Sequence, residues 1–81
     1  MPTLLHLQIN GQGRPLDAED PSPLDHVLLA LGARPDRVAV EHNGTIVPRT
    51  QWTQTEVRSG DRLEIVHFVG GGRGPGPDEQ Q

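Results

Sequence analysis

One helical stripe constrains this chain most. Leu24, Val27, Leu28 and Leu31 recur at i, i+3, i+4 and i+7, the spacing that lines one face of an α-helix. Ser22 is a good capping residue, Pro23 suits the first helical position, and Asp25 follows three residues after the cap. Gly32 allows a left-handed stop, and Pro35 prevents continuation. The pattern predicts one helix near residues 23–32, with all four apolar side chains facing a core. A helix with a single apolar face must bury it against another layer. No second helical stripe exists in the sequence, so that layer must be a sheet.

The other segments supply strands. From Thr3 to Ile9 the chain alternates, with Leu5, Leu7 and Ile9 on one side and Leu4, His6 and Gln8 on the other. Asn10-Gly11 suits a tight hairpin, because both residues tolerate positive φ, and a second strand should return through Arg14 and Leu16. Val38-Ala39-Val40, the turn Asn43-Gly44 and Ile46-Val47 make a second hairpin. Pro48 to Gln54 reads as irregular, anchored by Trp52 as a structural plug. Ser59-Gly60-Asp61 is a turn into the last strand, Arg62 to Val69. There Leu63, Ile65 and His67 share one face, and Val66 and Phe68 share the other. Hairpin, helix, hairpin and final strand are the order of an α+β, β-grasp (ubiquitin-like) fold. The expected sheet is mixed, of four to five strands, with the last strand beside the first and the helix on one face. The other face stays open. Val66 and Phe68 should lie on it, either as a docking patch or as ordinary edge packing.

After Val69 the chain changes character. Residues 70–81 hold no large apolar side chain, so the expected division is a domain over 1–69 and a flexible glycine-rich tail over 70–81, of which 73–81 is an extension. With 81 residues there is room for one domain. The net charge of −4, with seven arginines and no lysine, argues against a nucleic-acid partner. The absence of lysine also leaves no ε-amine for isopeptide chain building on this protein. There is no cysteine, which excludes disulfides, thiolate metal sites and cysteine nucleophiles and suits a reducing compartment. No apolar run reaches membrane-spanning length, and the N-terminus has no basic stretch followed by an apolar one. A cytoplasmic protein without membrane association is expected. The four histidines are dispersed and lack helical metal-site spacing; His42 and His67 could meet only across strands. Asp17, Glu19 and Asp20 read as a solvated turn, and no nucleophile–base constellation points to an enzyme.

From Val38 onward the sequence resembles the ThiS family, the sulfur carriers of thiamin biosynthesis. The matching stretches are Val38-Ala39-Val40-Glu41-His42-Asn43-Gly44, Ile46-Val47-Pro48-Arg49 with Gln51-Trp52, Gly60-Asp61, and Ile65-Val66-His67-Phe68-Val69-Gly70-Gly71-Gly72. The N-terminal half agrees in pattern. The resemblance implies a carrier, not an enzyme, whose terminal glycine is adenylated by a ThiF-type enzyme using ATP and magnesium. Sulfur from a cysteine desulfurase or an equivalent donor then replaces AMP, and thiazole synthase (ThiG type) takes it from the resulting thiocarboxylate. Gly72 would carry the sulfur, with Gly71 as second choice. Gly70, Gly71 and Gly72 would thread into the partner, because residues without side chains pass a narrow channel and adopt any φ it requires. Val66, Phe68 and Val69 would dock. The chain itself would bind no cofactor or metal. Family members commonly end at the glycines, whereas Arg73 to Gln81 follow here. Either a peptidase removes 73–81 or the chain is not a functional carrier, since Gly72 has no free carboxylate while Arg73 is attached. Two alternatives share the fold and the tail. One is the molybdopterin sulfur carrier, which usually has prolines where His67-Phe68-Val69 stand here. The other is a ubiquitin-like protein modifier.

Overall fold

The computed structural model describes residues 4–68. Seven strands and one α-helix follow in the order β1 (Leu4–Ile9), β2 (Gln12–Asp17), β3 (Ser22–Pro23), α1 (Leu24–Ala30), β4 (Val38–His42), β5 (Thr45–Ile46), β6 (Glu56–Val57) and β7 (Arg62–His67). Five strands form one mixed sheet in the order β2-β1-β7-β4-β5, and β3 pairs with β6 in a separate two-stranded ribbon. β7 lies at the centre, parallel to β1 and antiparallel to β4. The last strand is therefore beside the first, as the sequence predicts.

Both hairpins turn at Asn-Gly. Asn10 and Asn43 sit at φ 51° and 52°, followed by Gly11 at 82° and Gly44 at 88°. Two consecutive positive-φ residues match the right-handed twist of a hairpin, and asparagine followed by glycine tolerates them best. The side chains of both asparagines then reach β7. Asn10 Oδ1 accepts from the Ile65 N–H at 2.7 Å, and its Nδ2 donates to the Ile65 carbonyl at 3.2 Å. Asn43 Oδ1 accepts from the Arg62 N–H at 2.8 Å.

The helix packs on one face of the sheet. Leu24, Val27 and Leu28 are buried against Leu5, Leu7, Val40, Leu63 and Ile65, while Leu31 is only partly buried at the margin. The helix is shorter than the predicted 23–32, and its N-terminus is built differently. Pro23 holds the cap position in extended conformation without a side-chain cap. Ser22 instead belongs to β3, and its hydroxyl donates to the Glu19 carbonyl. The ribbon explains this: the Leu24 N–H donates to the Thr55 carbonyl at 2.8 Å, so a neighbouring segment satisfies a helix-end amide. At the other end Gly32, at φ 77°, donates to Leu29 and Ala33 donates to Leu28, which closes the helix with the expected glycine stop.

Residues 49–54, expected to be irregular, form a 3-10 helix, Arg49–Gln54, packed against α1. Trp52 is the plug: it is 3 % exposed, and its indole N–H donates to the Val47 carbonyl at 3.0 Å. A buried indole needs such a partner.

Candidate functional site

β7 connects the core to the glycine block. Alternation along it sends Leu63 and Ile65 into the core and leaves Glu64 and Val66 exposed on the opposite face. Phe68 follows the strand, and its N–H donates to the Arg37 carbonyl at 2.8 Å. This bond holds the chain to the β4 side at the last described position. Val66 and Phe68 are 59 % and 58 % exposed.

The open face holds more apolar surface than those two residues. Ala39 stands directly across from Val66, and Ile46 pairs with Glu41 on the next strand. Together Ala39, Ile46 and Val66 line a shallow depression rimmed by Glu41 and Glu64. Ile46 is 70 % exposed and is a surface residue that the sequence reading missed. The signal was available: a two-residue Asn-Gly loop fixes the register of β4 and β5 and places Ile46 opposite Glu41. Glu41 and Glu64 also face each other across β4 and β7, which gives the depression an acidic rim.

At the base of β7, His42 and Asp61 form a second cluster. Their side chains meet at 2.7 Å, Nε2 to Oδ2, and both are mostly shielded from solvent. Burial pushes the Asp61 carboxyl up. The Arg58 backbone N–H, donating at 2.9 Å, together with His42 and Asn43, more than offsets that effect and holds the carboxyl below its usual 3.8. His42 thus ties the β4–β5 hairpin to the turn before β7. It does not meet His67, which pairs with Val38 at the other end of β4. Among the described residues no group of three or more His, Asp or Glu could hold a metal ion.

Val69, Gly70, Gly71, Gly72 and the 73–81 extension lie outside the described residues. The geometry therefore gives the open face and the root of the tail, Val66 to Phe68.

Residues 7–72 match the ThiS family. This chain belongs to the ThiS family. The match covers most of the domain and ends at the glycine that the resemblance singles out. Among solved structures, the crystal structure of a thiamine biosynthesis protein (ThiS) from Geobacter metallireducens superposes with a TM-score of 0.72 at 33 % identity, covering 84 % of this chain and all of that one. A thiazole synthase of Magnetococcus marinus is 38 % identical over 72 residues, 89 % of this chain but 22 % of that protein. The uncharacterized protein ycf40 of Porphyra purpurea is 34 % identical over 68 residues, with 84 % of this chain and 93 % of that protein covered. This chain spans about a fifth of the length of the thiazole synthases it matches. Its β-grasp fold is that of the ThiS structure on which it superposes. No helix among the described residues is long and apolar enough to cross a membrane.

Proposed function

We propose that this ThiS-family carrier delivers sulfur for thiamin thiazole synthesis through a thiocarboxylate on Gly72. The observation that carries the reading is a pair of exposed apolar side chains, Val66 on the central strand and Phe68 just after it, in the segment that leads in sequence to Gly70-Gly71-Gly72. A partner that covers the open face then receives the glycines from the same strand. The domain 1–69 is the body that docks, with Val69 as a further docking residue. Residues 70–72 are the thread, and 73–81 is a removable extension.

The chemistry needs a free carboxylate. A peptidase hydrolyses the Gly72–Arg73 amide and exposes it. A ThiF-type enzyme, using ATP and magnesium, joins the Gly72 carboxylate to AMP and releases pyrophosphate. A persulfide from a donor of the cysteine desulfurase type, or an equivalent donor, displaces AMP through its terminal sulfur and forms an acyl disulfide. A second thiol, from a partner cysteine or a small-molecule thiol, then attacks the donor's sulfur, forms a disulfide with it and frees the thiocarboxylate. Thiazole synthase accepts that sulfur. The chain is a co-substrate in each step, and its fold supplies a docking face and an acyl group.

Three polypeptides test the reading. The chain ending at Gln81 is expected to be inert, because its free carboxylate has no glycine thread before it. The chain ending at Gly72 should support carrier-dependent and ATP-dependent pyrophosphate release by the activating enzyme. The chain ending at Val69 should not, since it lacks about 10 Å of extended reach. All the buried apolar residues described lie between Leu5 and Ile65, so neither cut removes a residue of the described core. Adenylation of the intact Gln81 form at the rate of the Gly72 form would overturn the proposal, as would an inert Gly72 form with an enzyme of proven activity.

A further inference from the structure

We infer that Asn10 is a positioning residue for the C-terminal thread: among the described residues its carboxamide is the last pairing partner on the β1 side of β7, and so it fixes the second edge of the strand at the root of the thread. The inference rests on the carrier reading above and names a residue that reading does not use.

The main-chain directions along β7 follow from the bonds at its two ends. The Asn43 N–H donates to the Arg62 carbonyl, and the Phe68 N–H donates to the Arg37 carbonyl. In an antiparallel pair the hydrogen-bonded positions recur every second residue, so Arg62, Glu64, Val66 and Phe68 turn their main-chain groups toward β4. Leu63, Ile65 and His67 then turn theirs toward β1. The carbonyl of Leu63 accepts from the Asn10 N–H at 2.9 Å. One residue later β1 has already turned away, because its register with β7 ends at Ile9 and Leu63.

Ile65 would therefore face an empty edge while its side chain is 8 % exposed and its surroundings are apolar. Buried main-chain groups require partners. The Asn10 carboxamide provides both, one acceptor and one donor, in the place a continuing strand would occupy. Its positive φ is what brings the side chain back onto β7. Beyond Ile65, the described chain is held from the β4 side alone, through Val66 and Phe68. Asn10 is thus the anchor on the second edge, four residues before Val69. With it, the root of the thread leaves the sheet at one place and in one direction. Without it, residues 65–68 hang from a single edge, and only part of the population presents the thread correctly. A partner's apparent affinity falls by that fraction, while the rate of chemistry once bound does not.

The test uses chains ending at Gly72. Asn10→Gly keeps the positive φ and removes the carboxamide. Asn43→Gly removes a comparable clamp from the other end of β7 and serves as the control for stability alone. Amide hydrogen exchange should accelerate at Ile65 and through residues 66–68 in Asn10→Gly, and not in Asn43→Gly. The KM for the carrier in adenylation should rise about tenfold in Asn10→Gly at unchanged kcat. In Asn43→Gly it should stay within about twofold of wild type for the folded fraction. If Asn10→Gly does not fold, Asn10→Asp, which keeps the acceptor for the Ile65 N–H, is measured by the same two readouts against the same control. An unchanged KM, or equal KM changes in the Asn10 and Asn43 variants, overturns the positioning role while the carrier reading stands. An inert wild-type Gly72 chain overturns the carrier reading, and the positioning role with it.

Discussion

Removing the side chain of Leu28 tests the packing that the whole domain depends on. Leu28 is 1 % exposed and is the fifth residue of a seven-residue helix. A helix that short does not hold itself together in water, so packing of its buried face maintains it. Leu28→Ala removes three carbons from water-excluded space. At about 0.8 kcal/mol for each methylene-sized group, transfer accounts for about 2.5 kcal/mol. The unfilled cavity adds to this, giving a total of about 3–5 kcal/mol. A domain of this size has only about 3–5 kcal/mol of stability, so the variant should be partly or wholly unfolded at 25 °C. Leu29→Ala is the matched control: its side chain is 66 % exposed, and the change should stay within about 0.5 kcal/mol. Urea unfolding followed by fluorescence reads both variants through Trp52, the single tryptophan, which is buried in the 3-10 helix against α1. If Leu28→Ala loses less than about 1 kcal/mol, the assignment of the buried stripe is wrong, and so is the view that the sheet–helix interface holds the domain.

Phe68→Ala should weaken binding to the adenylating enzyme or thiazole synthase by titration, with a melting temperature close to wild type, because the ring is 58 % exposed. A collapse in stability with normal affinity of the folded fraction would make Phe68 a core residue and remove the docking face. For Asp61 the folded-state carboxyl lies below its ordinary 3.8, so its contribution is fully present above that value and is lost as pH falls through the lower folded value. Stability should therefore decline on acidification below about pH 4, and Asp61→Asn should flatten that limb in a urea series taken at several pH values. An acid limb of unchanged steepness in Asp61→Asn would show that other carboxylates cause it.

Much of the fold was legible because its signals are local. Alternation in residues 4–9, the two Asn-Gly pairs and the stripe from Leu24 to Leu28 each depend on near neighbours in the chain. Each reappears as a strand, a turn or a helix face. The exposure of Val66 and Phe68 was also legible, since a period of two along β7 allots them to the face that one helix cannot cover. Helix capping was misread for a physical reason. Ser22 has the right chemistry for a cap, but Thr55, 31 positions beyond Leu24 in the numbering, supplies the acceptor for the Leu24 amide, and β3 takes Ser22 into a ribbon with β6. Two-residue strands leave no periodic signature.

The sequence by itself determined the order of the two hairpins, the helix and the last strand, the sidedness of the sheet and the family, because hydrophobic period, turn chemistry and the glycine block are written in consecutive residues. Only the tertiary structure decided which distant groups complete one another. Asn10 reaches Ile65 across 55 positions, and His42 meets Asp61 across 19. Those pairings exist because β7 is the central strand of the sheet, with β1 on one edge and the β4–β5 hairpin on the other. A carboxamide signals a turn through its own φ, but which main-chain groups it satisfies depends on where the neighbouring strand stops. That endpoint is a property of the assembled sheet.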